Sequence, residues 1–346
     1  MKELEQLTLP LLMWYRENAR ILPWRSYPTP YRVWVSEIML QQTRVAAVLE
    51  YYRRFMEALP TVEDLAAVPE DELMKLWQGL GYYSRARNLQ KAARQIMEEH
   101  GGVFPGTYEE IRALSGVGDY TAGAISSIAF GLPTPAVDGN VLRVMARITD
   151  NPTPIDLPAR KKEVQTQLAA IYPGSAGDFT QALMELGATI CGPNRKPDCG
   201  ICPCREFCLG YQRGTAESLP VKSPKKGRRE EDLTVFILRC GDHYALEKRP
   251  DSGLLAGLWQ FPNIPGKLDA QQAAAWAGEQ GLGPRDLRRM AEKKHIFTHI
   301  QGNMTGIYLE VGSMPDSYQW FTEEEIETGA ALPTAFRQFW EERDYV

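Results

Sequence analysis

Cys191-Gly192-Pro193-Asn194-Arg195-Lys196-Pro197-Asp198-Cys199-Gly200-Ile201-Cys202-Pro203-Cys204-Arg205-Glu206-Phe207-Cys208 carries five of the chain's six cysteines within eighteen residues. Thiols crowded in this way, directly after a helix-like segment, point to a metal site. Seven residues separate Cys191 from Cys199, two separate Cys199 from Cys202 and five separate Cys202 from Cys208, with Cys204 an additional thiol in the last interval. Four thiolates at uneven spacing suit a cubane iron–sulfur cluster, whose corners one folded loop can meet. A structural zinc site usually takes its thiols from two close C-x-x-C pairs, and only Cys199 and Cys202 are paired that way. A disulfide framework fits least. No signal peptide is evident and Cys240 lies far off in an apolar, strand-like run, so a cytosolic, reducing setting is expected.

Outward from the cysteines the chain changes character. Residues 65–80, 83–99 and 121–130 carry apolar side chains at helical spacing, punctuated by Gly and Pro and without alternation. Residues 1–213 are therefore expected to form an all-α domain. Residues 214–231 hold Pro220, Pro224, Lys222, Lys225, Lys226, Arg228 and Arg229 with few apolar residues, which is linker composition. Beyond them, 233–239, 243–248 and 304–311 are rich in β-formers while 270–281 reads as helix, so 232–346 is expected to be α+β. At 346 residues, two domains each have room for a core. No apolar run nears the roughly 18 residues of a membrane span. A formal charge of −5 excludes a globally basic surface. Any nucleic-acid contact must be local, as around Arg85, Arg87, Lys91 and Arg94, or Arg195, Lys196 and Arg205, although a solvated helix face explains such charges equally well.

Three further stretches carry chemistry. In Leu114-Ser115-Gly116-Val117-Gly118-Asp119-Tyr120-Thr121-Ala122, glycines at 116 and 118 let backbone N–H groups crowd together ahead of a helix whose positive end faces the same point. A phosphate is the natural guest, and a plain helix–helix turn the ordinary alternative. Asp138, in Val137-Asp138-Gly139-Asn140-Val141, reads as an N-cap or turn former. Glu37 sits in the mainly apolar stretch Val35-Ser36-Glu37-Ile38-Met39-Leu40-Gln41-Gln42, where a carboxylate is costly unless paired or protonated.

Together these stretches, with Leu22-Pro23-Trp24-Arg25, Gly79-Leu80-Gly81-Tyr82-Tyr83-Ser84-Arg85-Ala86-Arg87-Asn88-Leu89 and the cysteines, resemble the helix-hairpin-helix DNA glycosylases that carry an iron–sulfur cluster. Within that superfamily they are most similar to the A/G-specific adenine DNA glycosylase (MutY) family, over nearly the whole chain. The resemblance implies a [4Fe-4S] cluster held by Cys191, Cys199, Cys202 and Cys208. It implies a monomer acting in the bacterial cytoplasm on double-stranded DNA, removing adenine opposite 8-oxoguanine or guanine. Bifunctional relatives place a lysine at the hairpin position occupied here by Tyr120, and a phenol cannot form their imine, so a monofunctional enzyme is implied.

The reaction assigns the remaining roles. Glu37 would be the acid that protonates adenine, and Asp138, solvated and anionic, would support the sugar cation, with Tyr120 and Asn140 orienting both. By resemblance Gln42 and Tyr82 wedge into the stack and Trp24, Arg25, Leu40 and Gln181 line the adenine pocket. Gly116 and Gly118 would meet the DNA phosphate. The C-terminal half resembles a Nudix-like domain through residues 246–250 and 253–262. Its helical stretch keeps Glu279 but little else acidic for magnesium, which leaves a binding role. Phe297-Thr298-His299 stands where the family has a Phe-Ser-His triplet that contacts oxidised guanine. Other departures are Ser115 for a hairpin proline, Asp119 near the phosphate site, and a first cysteine interval longer by one, which makes Cys204 a candidate substitute ligand. The rivals are a thymine glycosylase of G/T mismatches and a non-catalytic, zinc-stabilised DNA-binding protein.

Overall fold

The computed structural model describes residues 2–193, 195–224 and 227–344. The chain divides into two compact units, one formed by Met1–Ala67 with Asn88–Pro224 and the other by Val68–Arg87 with Lys225–Val346.

The first unit is helical. Its centre is the helix Gly139–Ile148, capped by Asp138, whose side chain accepts from the Val141 N–H at 2.7 Å. Val141, Val144, Met145 and Ile148 repeat at helical spacing and are buried against Phe179, Leu183 and Leu186 of the helix Ala176–Thr189 and Leu11 and Tyr15 of the helix Thr8–Asn18. The two central helices close tightly because residue 187 is glycine. A Cβ there would lie 2.8 Å from Cβ of Asn140. The same apolar cluster takes in Cys191, Cys204 and Cys208, so the cysteine loop is part of the core. The stretch 214–224, linker-like in composition, is strapped to this unit: Arg147 Nε donates to Leu219 O at 2.9 Å, Ile155 N to Val221 O at 3.1 Å and Ser223 N to Asp156 Oδ1 at 2.8 Å.

The second unit is a mixed sheet with helices on both faces. Its strands are β1 (Arg229–Cys240), β2 (His243–Lys248), β3 (Trp259–Gln260), β4 (Asn263–Pro265), β5 (Pro284–Ile296), β6 (Ile300–Val311) and β7 (Gln319–Thr322). The order is β3-β2-β1-β6-β5, with β4 also on β1, β7 also on β2, and β1 parallel to β6. Along β1, Val235 and Ile237 enter one apolar cluster with Phe336, Phe339 and Trp340, while Phe236 and Leu238 enter another with Ala273 and Ala277. Such two-sided burial explains its unbroken apolar run.

Two departures from the sequence reading have simple causes. The stretch 65–80 is two helices, Val62–Ala67 and Glu70–Trp77, interrupted at Pro69, which stands as the N-cap of the second. Strand β5 escapes a search for β-formers because it is an edge strand rich in Arg, Lys and Glu, the composition that discourages edge-to-edge pairing. The segment Val68–Arg87 also packs within the second unit: Lys75 Nζ donates to Ile326 O at 3.2 Å and Gln78 Nε2 to Leu332 O at 3.0 Å. Among the described residues no helix is long and apolar enough to cross a membrane.

A fully buried carboxylate ties the N-terminal segment to the helical core. Glu185 Oε2 accepts from Arg20 Nη2 at 2.9 Å and from Arg25 Nη2 at 2.7 Å. Burial alone would raise this carboxyl, but the two arginines outweigh it and hold the group below its ordinary value. A depressed carboxyl contributes stability above its unfolded pKa near 4.5 and loses it as pH falls through the lower folded value. Glu185→Gln should therefore cost about 3 kcal/mol at pH 7, because it leaves Arg20 and Arg25 facing a neutral amide. Urea denaturation would reveal the loss, and the gap between variant and parent should narrow as pH falls below about 4.5 and close under the lowered folded value, where the parent carboxyl is itself neutral.

Candidate active site

The helix Pro30–Leu40 opens at Thr29, whose side chain accepts from the Arg32 N–H, and Pro30 occupies its first turn. From Val33 to Met39 every residue is buried, so Glu37 cannot reach water along its own helix and is only 5 % exposed. Its Oε2 accepts a short hydrogen bond from the Tyr120 hydroxyl, which the first turn of the helix Asp119–Phe130 delivers. Burial pushes the Glu37 carboxyl up to about 7; the Tyr120 bond opposes this, the charge of Asp138 adds to it and Arg25 lowers it. Tyr120 itself rises well above its ordinary value, through burial and then the neighbouring carboxylates.

Asp138 was expected to be solvated. It is instead half-buried at the start of the helix Gly139–Ile148, and burial raises its carboxyl against bonds from the Val141 N–H and the Asn140 amide, both at 2.7 Å. The two carboxyls thus differ both in exposure and in hydrogen bonding. Several N–H donors favour the charged form of Asp138, and one phenol serves Glu37. Behind Asp138, Asn140 Oδ1 accepts from Arg143 Nη2 at 2.8 Å, and Arg143 Nε donates to the Cys191 carbonyl at 2.8 Å. A continuous chain of bonds therefore runs from Asp138 to the cysteine loop.

Two cavities meet at these groups. One, of about 510 Å³, is lined by Trp24, Arg25, Leu40 and Gln181 together with Glu37, Tyr120, Asp138 and Asn140. A broader groove of about 1180 Å³ shares the last four and Leu40, and adds Gln42, Arg143, Arg195, Lys196 and Lys222. Trp24 is held edge-on against Tyr52, with ring centroids 5.2 Å apart.

The hairpin needs one of its two glycines. Gly116 has φ +72°, and a Cβ there would lie 2.5 Å from Cβ of Asn88. Gly118 has ordinary extended φ and no protein atom near an added Cβ, so the packing of the hairpin itself does not require glycine there. Asp119 is neutralised by Arg112, 2.6 Å away. Ser115 donates its backbone N–H to Gln95 Oε1 at 2.8 Å, a bond that a proline could not make.

Gln42 and Tyr82 are both non-glycine residues in the left-handed region, at φ 58° and φ 48°, a strain that clusters at functional positions. In the second unit, Arg85 is buried rather than displayed. It donates to Leu80 O at 3.1 Å and Gly81 O at 2.9 Å, fixing the loop that carries Tyr82. The Thr298 hydroxyl lies 3.4 Å from that of Tyr82, and Phe297-Thr298-His299 forms the turn between β5 and β6, closed by Phe297 N donating to Ile300 O at 2.8 Å. Arg87 and Arg94 are likewise occupied, by Glu70 and by Ala66 O.

Five thiols, Cys191, Cys199, Cys202, Cys204 and Cys208, line one small cavity walled by Val144, Ile148, Leu186 and Ile190. Arg147 donates to the Cys191 carbonyl and sulfur, each at 3.2 Å. Among the described residues no three His, Cys, Asp or Glu side chains stand drawn together as around a bound ion. The donor set, rather than a preformed nest, is what points to metal: thiolates in an apolar wall suit iron–sulfur or zinc and little else. Sequence reasoning missed Glu185, Arg143 and Arg147. Each is a charged residue in an apolar helical stretch, the signal that singled out Glu37.

The match to known proteins covers both units. Residues 35–173 fit the HhH-GPD superfamily base excision DNA repair protein model and residues 234–342 the NUDIX domain model. The human adenine DNA glycosylase is 38% identical over 399 residues, spanning 95% of this chain and 72% of that protein. The adenine DNA glycosylase of Buchnera aphidicola subsp. Baizongia pistaciae is 34% identical over 307 residues, spanning 88% of this chain and 86% of that one. A thermostable thymine-DNA glycosylase structure superposes with a TM-score of 0.56 at 30% identity, covering 98% of its own chain but 61% of this one. Since the adenine enzymes match along nearly the whole length, the chain belongs to the adenine DNA glycosylase (MutY) family and is a DNA N-glycosylase.

Proposed function

We propose that this enzyme hydrolyses the N-glycosidic bond of adenine opposite 8-oxoguanine or guanine and leaves the strand uncut. The observation that carries the proposal is the Tyr120–Glu37 hydrogen bond beside Asp138, at the junction of the two cavities. The adenosine must first leave the stack, at roughly a few kcal/mol. Trp24, Arg25, Leu40 and Gln181 line a space of about 510 Å³, enough for a flipped base. Gln42 and Tyr82, strained in advance, fill the gap left in the duplex, while the hairpin at Gly116 and Gly118 presents backbone N–H groups to a phosphate.

With a carboxyl that titrates near 7, Glu37 donates a proton to adenine at neutral pH, so the base departs neutral. Asp138, held by Asn140 and the Val141 N–H, offers its anion to the oxocarbenium-like sugar. Tyr120 keeps Glu37 oriented; having no amine, it supplies no imine route to strand cleavage. Cys191, Cys199, Cys202 and Cys208 would hold a [4Fe-4S] cluster, which when bound crosslinks the loop to the helical core. In the second unit the helix Ala270–Glu279 carries a single carboxylate, so binding rather than magnesium-dependent hydrolysis is its part. Phe297, Thr298 and His299 would read the base opposite adenine.

Base release from duplexes carrying adenine opposite 8-oxoguanine, guanine or thymine tests the reading. Release from the first two, with strands staying intact until alkali is added, is expected; preferential release of thymine from G/T pairs would overturn it. Glu37→Gln should bind duplex yet lose at least about 10²-fold in single-turnover release. The parent rate should fall about tenfold per pH unit above 7, as the acid form is titrated away. A carboxyl raised from 4.5 to about 7 by burial binds its proton more tightly folded than unfolded, so the parent loses stability as pH rises across that window. The glutamine variant is therefore expected to be the more stable protein at pH 8, by on the order of 1–3 kcal/mol, and to show no such gain at pH 4.5.

Thr298→Ala with His299→Ala should leave release from A/G pairs nearly unchanged while reducing the preference for 8-oxoguanine by ~1–3 kcal/mol, the worth of one good polar contact to a base. An unchanged preference ratio would move lesion reading to the helical unit.

A further inference from the structure

The loop holds one thiol more than a cubane cluster has corners, and its local geometry says which corner is doubled. Cys202, Pro203, Cys204 and Arg205 form a turn closed by Arg205 N donating to Cys202 O at 3.1 Å. Pro203 presets the first central position, and Cys204, at φ −95° and ψ 5°, takes the second central conformation of a type I turn. Cys202 is extended, at φ −74° and ψ 126°, as a residue before proline must be. This turn folds the two sulfurs side by side. Cys204 is not a stray surface cysteine: it is 1% exposed, belongs to the helical core cluster and lines the same cavity as the other four.

Resting on the cluster reading above, we propose that Cys204 is a reserve ligand for the iron held by Cys202, so that either sulfur can occupy that corner. The exchange conserves charge and protons. As the Cys202 sulfur–iron bond breaks and the Cys204 sulfur–iron bond forms, the Cys204 proton passes to the Cys202 sulfur. Nothing is oxidised or reduced. Cys204 is the loop cysteine outside the four proposed ligands, and it stands two residues from Cys202, five from Cys199 and four from Cys208.

The test is iron and acid-labile sulfide per chain, with the visible absorption and the paramagnetic spectrum, on purified full-length Cys202→Ala, Cys204→Ala, Cys199→Ala and the Cys202→Ala/Cys204→Ala double variant. Both single variants at 202 and 204 should retain four irons, with the Cys202→Ala spectrum altered by the changed ligand position. Cys199→Ala and the double variant should lose at least one iron per chain, and folding of every variant is checked by far-ultraviolet circular dichroism. A Cys202→Ala protein as iron-poor as the double variant, beside a fully loaded parent, would overturn the inference. A parent that carries zinc, or no metal, would instead sink the cluster reading on which it rests.

Discussion

The helical unit holds one carboxyl, that of Glu37, near pH 7, well above the ordinary range of a glutamate. A glutamate on an exposed helix face would be an anion at pH 7 and useless as an acid. The only ways to hold it neutral are to remove water, place a like charge nearby, or both. Glu37 has both: a helix buried on all sides and Asp138 across the cavity. Neither helps the fold. The burial of Glu37 must be offset by apolar packing elsewhere, which is why its helix presents Val33, Trp34, Val35, Ile38 and Met39 to the interior. The Tyr120 bond is the compensation the site can tolerate. It satisfies the carboxyl with a neutral O–H, where an arginine or a set of backbone N–H groups would have pulled the pKa back down.

Asp138 illustrates the opposite solution in a half-buried setting. Its helix-capping bonds and the Asn140 amide favour the anion, and Arg143 steadies Asn140 from behind. Because Arg143 and Arg147 also grip the Cys191 backbone, the position of the anion depends on how the cysteine loop is seated. A loop that lies some way along the chain from both carboxyls thus bears on the site through two buried arginines, as well as through Pro193, Arg195 and Lys196, which line the cavities themselves.

Much of this was legible before any coordinates. Glu37 could be singled out by its apolar neighbours, the cysteines by their crowding, and the α-to-α+β change by the switch of period. What stayed hidden has physical reasons. Strand β5 hides because an edge strand exposes its charged face. The burial of Asp138 hides because Asp-Gly reads as a solvent turn, and whether a turn is wet depends on what packs over it from elsewhere in the chain. Glu185 could have been found. Its stretch, Phe179-Thr180-Gln181-Ala182-Leu183-Met184-Glu185-Leu186, poses the same problem as that of Glu37, but its partners Arg20 and Arg25 lie more than a hundred residues away in sequence. Sequence can say that such a carboxyl needs a partner or a proton; only the fold says which it received.

The same distinction resolves how a chain of net charge −5 can meet DNA. Arg85 in the second unit and Arg143 and Arg147 in the first are buried and committed to carbonyl oxygens. The exposed cations that line the groove are of another kind. Arg195 and Lys196 are largely exposed and paired with the exposed Asp198 and Glu217, at 3.4 Å and 3.2 Å, and Arg112 pairs with Asp119 in the hairpin in the same way. Such surface pairs are worth about 0–1 kcal/mol each, so a phosphate can take the cation from its carboxylate at little cost. Their acids lower the field the protein projects into solution and thereby weaken attraction to DNA at large. Once the groove is occupied the same cations are available at close range. An acidic protein that must search undamaged duplex gains from this arrangement, because loose contacts stay weak while the seated complex keeps its phosphate partners.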